Sequence, residues 1–273
     1  MTGMRYSICS EIFKDWPLDR ALCFAQKTGY TGFEVAPFTL APLVTDIPND
    51  RRREIVRMAS DAGIAITGIH WVLAFTDGMH VNHPEPIWRS RAADYLRHLV
   101  DFCGDLGGTH LIFGSPKRRD LLSGVSLDQA HAWTLETFQP ATTLAQQRGV
   151  TLCLEPLAPS ETNYLNTAAE TAELASRMNS SAFGFMLDVK AMASEPRPIA
   201  ETIRMHAGQF AYFHANDENL KGPGFGSTDY NAIGAALKET QYQGWVSVEV
   251  FTFEEGPEVI ATQSLAHLRK HLE

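Results

Sequence analysis

The chain has 273 residues, 44% of them hydrophobic, enough to bury one large core. Lysine and arginine number 23 against 32 aspartates and glutamates, a formal charge of −9, which disfavours a nucleic-acid backbone or an anionic membrane surface as partner. No apolar run approaches the roughly 20 residues of a spanning helix, MTGMRYSICSEIF does not read as a signal peptide, and four cysteines without a CxxC pair (Cys9, Cys23, Cys103, Cys153) point to reduced, mostly buried thiols and a cytoplasmic home.

Short apolar runs alternate with helical segments along the chain. YSIC (6–9) comes first, followed by LDRALCFAQKTGY, where Leu18, Leu22 and Ala25 share one face and Gly29 supplies the stop. GFEVAPF (32–38) and IAITGIHWV (64–72) are the second and third runs. RAADYLRHLVDFCGDLG then spaces Ala92, Leu96, Leu99, Cys103 and Leu106 by three and four before Gly107-Gly108. THLIFGS (109–115) precedes a helical stretch over about 127–147, in which Pro140 predicts a kink or two shorter helices. VTLCLEP (150–156), FGFMLDV (183–189), FAYFHAN (210–216) and WVSVEVF (245–251) complete eight runs. Glycines at Thr28-Gly29, Ala62-Gly63, Gly107-Gly108 and Arg148-Gly149 sit just before strands, where a left-handed residue ends a helix. Eight strand–helix units predict a parallel sheet closed into a (β/α)₈ TIM barrel, an α/β fold. An open doubly wound sheet is the alternative, but no GxGxxG follows the first strand. No linker interrupts the pattern, so residues 1–273 read as a single domain.

Active sites of such barrels lie at the carboxyl ends of the strands. Glu34 lies in the second run, and the third carries His70. The fifth to eighth runs carry Glu155, Asp188, His214 and Glu249. Three carboxylates aimed at one point repel one another unless a cation joins them. Three carboxylates and one imidazole make a mostly oxygen site that suits Mn²⁺ or Mg²⁺, with Co²⁺ and Zn²⁺ also compatible. Taken singly, a strand-end glutamate is most often a cap or ion-pair partner, and His214 alone a core histidine. Four in consecutive strands outweigh that reading. Glu34 is expected to be a structural carboxylate in the barrel mouth, and His70 either a substrate contact or a packed side chain. The basic cluster Lys117-Arg118-Arg119 reads as a solvated loop.

LEPLAPSETNYLNT (154–167), FMLDVKAM (185–192), FHANDEN (213–219), GPGFGSTDY (222–230) and GWVSVEVF (244–251) together resemble the xylose isomerase-like barrel superfamily, in its sugar phosphate isomerase/epimerase branch of D-tagatose 3-epimerase-like proteins. The resemblance covers essentially the whole chain. It implies one divalent metal, Mn²⁺ first, on Glu155, Asp188, His214 and Glu249, with Glu155 and Glu249 doubling as the acid/base pair. It implies a small-molecule sugar as substrate and an isomerase or epimerase reaction through a cis-enediolate. Glu161 matches a glutamate that helps hold substrate in the ketose epimerases, and Asn163 shares its loop. A histidine three residues after the strand aspartate and an arginine six after the strand histidine are replaced by Ala191 and Leu220. Lys190 and Lys221, and Lys117 after the fourth run, are candidates to take over substrate binding. Lys190 would point with Asp188 if the strand continued. Asp217 and Asn219 are expected to brace the loop or the metal's outer shell, and GPGFG (222–226) to form a tight turn beside the pocket.

Three other functions fit the same residues less closely. A lyase would expel a leaving group from a 3-keto-glycoside after the same proton abstraction. A sugar-binding subunit would keep the site and leave catalysis to a partner. Apurinic-site endonucleases share the superfamily but use more histidines than His70 and His214. Barrels of this branch often pair, and a homo-oligomer is the corresponding expectation.

Overall fold

The computed structural model describes residues 4–273. Its nine parallel strands are β1 (Arg5–Cys9), β2 (Gly32–Val35), β3 (Ala65–Ile69), β4 (His110–Phe113), β5 (Thr151–Leu154), β6 (Phe183–Phe185), β7 (Leu187–Asp188), β8 (Phe213–Ala215) and β9 (Trp245–Val248). They form one sheet in the order β6-β5-β4-β3-β2-β1-β9-β8-β7. The two outer strands are adjacent in sequence. Met186 alone separates β6 from β7, and its N–H donates to the Leu154 carbonyl at 3.0 Å. The sixth predicted run is therefore one broken strand. Its first part pairs with β5 and its second with β8, so the circle of eight closes through Met186. The fold is the expected TIM barrel.

The described residues form nine α-helices: α1 (Leu18–Thr28), α2 (Asn49–Ala62), α3 (Pro86–Asp105), α4 (Leu127–Arg148), α5 (Ala168–Arg177), α6 (Val189–Ala193), α7 (Ile199–Met205), α8 (Tyr230–Glu239) and α9 (Pro257–Leu272). Gly29, Gly63 and Gly149 end α1, α2 and α4 at φ 114°, 72° and 68°, as their positions before strands predict. Ser126 and Thr167 open α4 and α5 with reciprocal capping boxes to Gln129 and Glu170. Pro140 does not split α4, which runs unbroken. The proline and Glu136, whose carbonyl loses its partner, both lie on the exposed face, where water can replace the missing N–H.

Strand periodicity places the chemistry. Ile112, Cys153, Met186, Tyr212 and Trp245 pack together inside the barrel, whereas Leu111, Leu152 and Leu154 belong to the shell between strands and helices. Two residues beyond Cys153, Met186 and Tyr212 come Glu155, Asp188 and His214, so these side chains also point inward, one layer nearer the mouth. Ser247, fully buried and 3.6 Å from Cys9 Sγ, does the same for Glu249. No helix among the described residues is long and apolar enough to cross a membrane.

Candidate metal and active site

Glu155, Asp188, His214 and Glu249 each offer a ligand atom, and these atoms all lie within 4.8 Å of one another. All four residues are buried, Asp188 and His214 completely. Ligands about 2.1 Å from a shared cation lie at most about 4.2 Å apart, so a small inward movement closes the set around one ion. His214 Nδ1 faces Glu249 Oε2 at 3.2 Å and Glu155 Oε1 at 3.6 Å. Among the described residues neither His214 Nδ1 nor Glu249 Oε2 has a hydrogen-bond partner, which is costly for buried polar atoms and fits a cation between them. The donor set fits a hard divalent ion.

Each candidate ligand is held from behind. His214 Nε2 lies 3.1 and 3.2 Å from the two oxygens of Glu34, leaving Nδ1 turned to the cluster. Glu34 also accepts the Tyr212 hydroxyl at 2.9 Å. It is the interior carboxylate expected from its strand position. Asp188 caps α6, taking the Ala191 N–H on Oδ1 at 2.7 Å, and accepts Asn216 Nδ2 on Oδ2 at 2.6 Å. Each oxygen keeps a further lone pair. The Trp71 indole N–H donates to Glu249 Oε1 at 3.0 Å. Glu155 is fixed through its backbone. Its carbonyl accepts Arg119 Nη1 at 2.6 Å, and Arg119 also reaches the carbonyls of Phe113, Gly114, Tyr164 and Leu165.

Arg119 therefore corrects the solvated-loop reading. It is fully buried and ties the ends of β4 and β5 together. Of the same run only Lys117 is exposed, and Arg118 is half-buried, 3.5 Å from Asp77.

The electrostatics describe a site with more negative charge than its own cations balance. Burial raises the Glu155 carboxyl, and Glu249 beside it adds to the rise. Burial also pushes Asp188 up to about 7. Burial opposes the charged form of Glu34 and Glu249 too, but the His214 and His70 imidazoles outweigh it and hold both below the usual carboxylate range. Carboxylates on Glu34 and Glu249, in turn, overcome the effect of burial on His214 and raise it.

The structure redistributes the expected substrate contacts. His70 is 1% exposed and lies behind the site, with Nε2 3.0 Å from Glu11 Oε2 and Nδ1 3.4 Å from Glu34 Oε1. It does not line the mouth, and its imidazole is raised to about 9 because Glu11 and Glu34 overcome the effect of burial. Asn163 is a clip between loops, accepting the Leu121 N–H at 2.7 Å and donating to the Leu121 carbonyl at 3.0 Å. Lys221 pairs with Glu255 and lines neither of the two cavities described below. Lys190 does reach the mouth, but not by continuing a strand. The strand stops at Asp188, and Lys190 sits in the first turn of α6. Its Nζ donates to Glu161 Oε1 at 2.8 Å and lies 3.8 Å over the Phe251 ring. Ala191 is fully buried, and Leu220, at φ 69°, lines the outer cavity. Asn219 braces its own loop, donating to the Phe225 carbonyl at 2.9 Å.

Two cavities share Glu161 and Phe251 as a common wall. The inner, about 340 Å³, is lined by Glu155, Glu249, Trp71, Phe75 and Lys117, among others. The outer, about 430 Å³, opens beside Lys190, Ser194 and Leu220. Trp71, Arg119 and Asn216 were not visible as site residues in the sequence. Only Trp71, directly after a strand-end histidine, carried a positional signal.

Comparison with known proteins agrees with this architecture. A D-psicose 3-epimerase of Ruminiclostridium cellulolyticum is 26% identical over 87% of this chain and 80% of its own length. A 3-dehydro-D-guloside 4-epimerase of Escherichia coli is 21% identical over 90% of this chain and 92% of its own. The fold superposes on the crystal structure of D-psicose 3-epimerase with D-tagatose from Clostridium cellulolyticum H10 with a TM-score of 0.86 at 20% identity, covering 99% of this chain and 100% of that one. The family model of the xylose isomerase-like TIM barrel matches residues 22–271, and the chain belongs to that family.

Proposed function

We propose that this protein is a divalent-metal-dependent epimerase of a keto-sugar, moving a proton on the carbon beside the carbonyl. The observation that carries the reading is the double placement of Glu155 and Glu249, which belong to the four-residue ligand cluster and also line the inner cavity. The relatives named as sugar epimerases point the same way.

Glu155, Asp188, His214 and Glu249 would hold the cation, with Mn²⁺ as first choice. When bound, it supplies Lewis-acid polarisation of the substrate carbonyl. The chain supplies the proton transfer. One of the two glutamates removes the proton, a cis-enediolate forms, and the other returns a proton to the opposite face. Trp71 fixes Glu249, and Arg119 fixes the backbone of Glu155, so neither base has to be ordered during the reaction. Lys190 and Glu161 offer charge-assisted hydrogen bonds to substrate hydroxyls from the wall between the cavities. Free thiols, three of them buried, suit a reducing compartment, the cytoplasm.

The test is incubation of the Mn²⁺-loaded protein with free ketoses and 3-keto-glucosides, followed by NMR. A new epimer with every substituent still attached is expected. No change in any sugar at stoichiometric metal would contradict the proposal. A released substituent would move the reaction to the lyase reading, which the replacement of the epimerase histidine and arginine by Ala191 and Leu220 favours.

A further inference from the structure

We infer that the inner cavity contains a second subsite, for an aromatic substituent carried by the keto-sugar. The inference rests on the keto-sugar reading and names the class of substrate within it. A cavity of about 340 Å³ falls among sites that hold a ligand larger than a bare sugar ring. Its chemistry is divided. Glu155, Glu161 and Glu249, with Lys117 and Arg118, supply charge to the lining, while Trp71, Leu73, Phe75, Leu157 and Phe251 supply apolar surface. A sugar ring can stack its one C–H face on a single aromatic side chain, but its edges carry hydroxyls that five apolar side chains would leave without partners. An aromatic ring needs no partner there and gains by leaving water.

The wall is built in advance. Phe75 is 73% exposed at the lip of the cavity, a large aromatic surface left in water. It is nevertheless held in place, edge-on to Phe38 at 5.1 Å and roughly parallel to Trp71 at 6.3 Å. Phe251 lies 6.3 Å from Trp71. Trp71 and Phe75 both occupy the left-handed region, at φ 54° and 59°, where bulky side chains are rare outliers. A segment that keeps two strained aromatics in five residues, with no glycine to relax it, gives up stability for their placement. The same Trp71 donates to Glu249, so the apolar wall and one of the paired glutamates are joined by a single side chain. A substituent against Trp71 and Phe75 therefore sits beside the reacting carbon.

The experiment uses two matched pairs. Methyl and phenyl β-glucosides, which carry no ketone, are titrated calorimetrically into the Mn²⁺-loaded protein. Their 3-keto forms are then followed by NMR in D₂O. At least a tenfold tighter affinity for the phenyl glucoside is expected, together with a tenfold lower KM for its 3-keto form at similar kcat. Phe75→Ala should bring the phenyl-to-methyl ratio to within threefold of one, while Phe75→Trp should retain it. Equal affinities, or a ratio that Phe75→Ala leaves intact, would overturn the subsite. Phenyl selectivity without proton exchange would support the subsite and sink the epimerase reading. Exchange with equal KM for both would do the reverse.

Discussion

The two sides of the barrel mouth are made differently. On one side, β5, β7, β8 and β9 deliver Glu155, Asp188, His214 and Glu249 from strand ends. On the other, the loop after β3 brings Trp71 and Phe75 to the cavity. Strand ends are fixed by ladder hydrogen bonds and by side-chain alternation, so their geometry tolerates little error. The loop is fixed by ring contacts and by two left-handed residues, and it can vary in sequence without disturbing the barrel. The rigid side suits proton transfer, which needs positions held to fractions of an ångström. The loop side suits the choice of substrate.

If that division is right, changes on the two sides should have separable effects. The largest is expected for Glu155→Gln, which keeps the shape and removes a base. Epimerisation should fall roughly 10²- to 10⁴-fold, measured by NMR, while the phenyl-to-methyl binding ratio stays as it was. Next comes Arg119→Met. Five carbonyls at the ends of β4 and β5 and in the loop after β5 lose the guanidinium donor, and of these only Phe113 and Leu165 keep a backbone N–H; urea unfolding should show a loss of at least about 3 kcal/mol. Glu34→Gln removes the carboxylate behind His214, and Mn²⁺ affinity should drop roughly 10- to 100-fold by calorimetry. A comparable change in phenyl affinity would break the comparison.

The smallest effect is a pH dependence on the loop side. His80, 5% exposed, has an imidazole lowered to about 4, by burial first and by His83 second. The unfolded chain takes up this proton near pH 6.5 and the folded chain only near 4. The contribution to stability is complete above pH 6.5 and is lost as the pH falls towards 4, by on the order of 2 kcal/mol. His80→Gln should remove that part of the difference between urea midpoints at pH 7.5 and pH 5.

The strand side was legible in the sequence because one rule, polar residues at the ends of alternating apolar runs, locates it without knowing any contact. The same rule leaves His70 undecided and does not reach the loop residues. His70 ends a run like His214, but Glu11 and Glu34 hold it behind the site. A continuing strand would point Lys190 with Asp188, whereas the Asp188 side chain caps a helix and turns the chain there. Asn163 and Lys221 lie in loops, whose direction no periodicity encodes. Arg119 stands in a basic run, and its partners are backbone carbonyls, which leave no trace in residue types. Phe75 looks like any loop aromatic until its neighbours and its φ are known.

The central claim is that Glu155 and Glu249 act as two bases on opposite faces of one carbon. The most direct measurement is the early time course of a 3-keto-glucoside epimerisation in D₂O, separating the two epimers by NMR. The expected result is deuterium in the product and none in the recovered substrate. Transfer of the substrate's own hydrogen into the product would mean that a single base serves both faces, and would contradict the assignment.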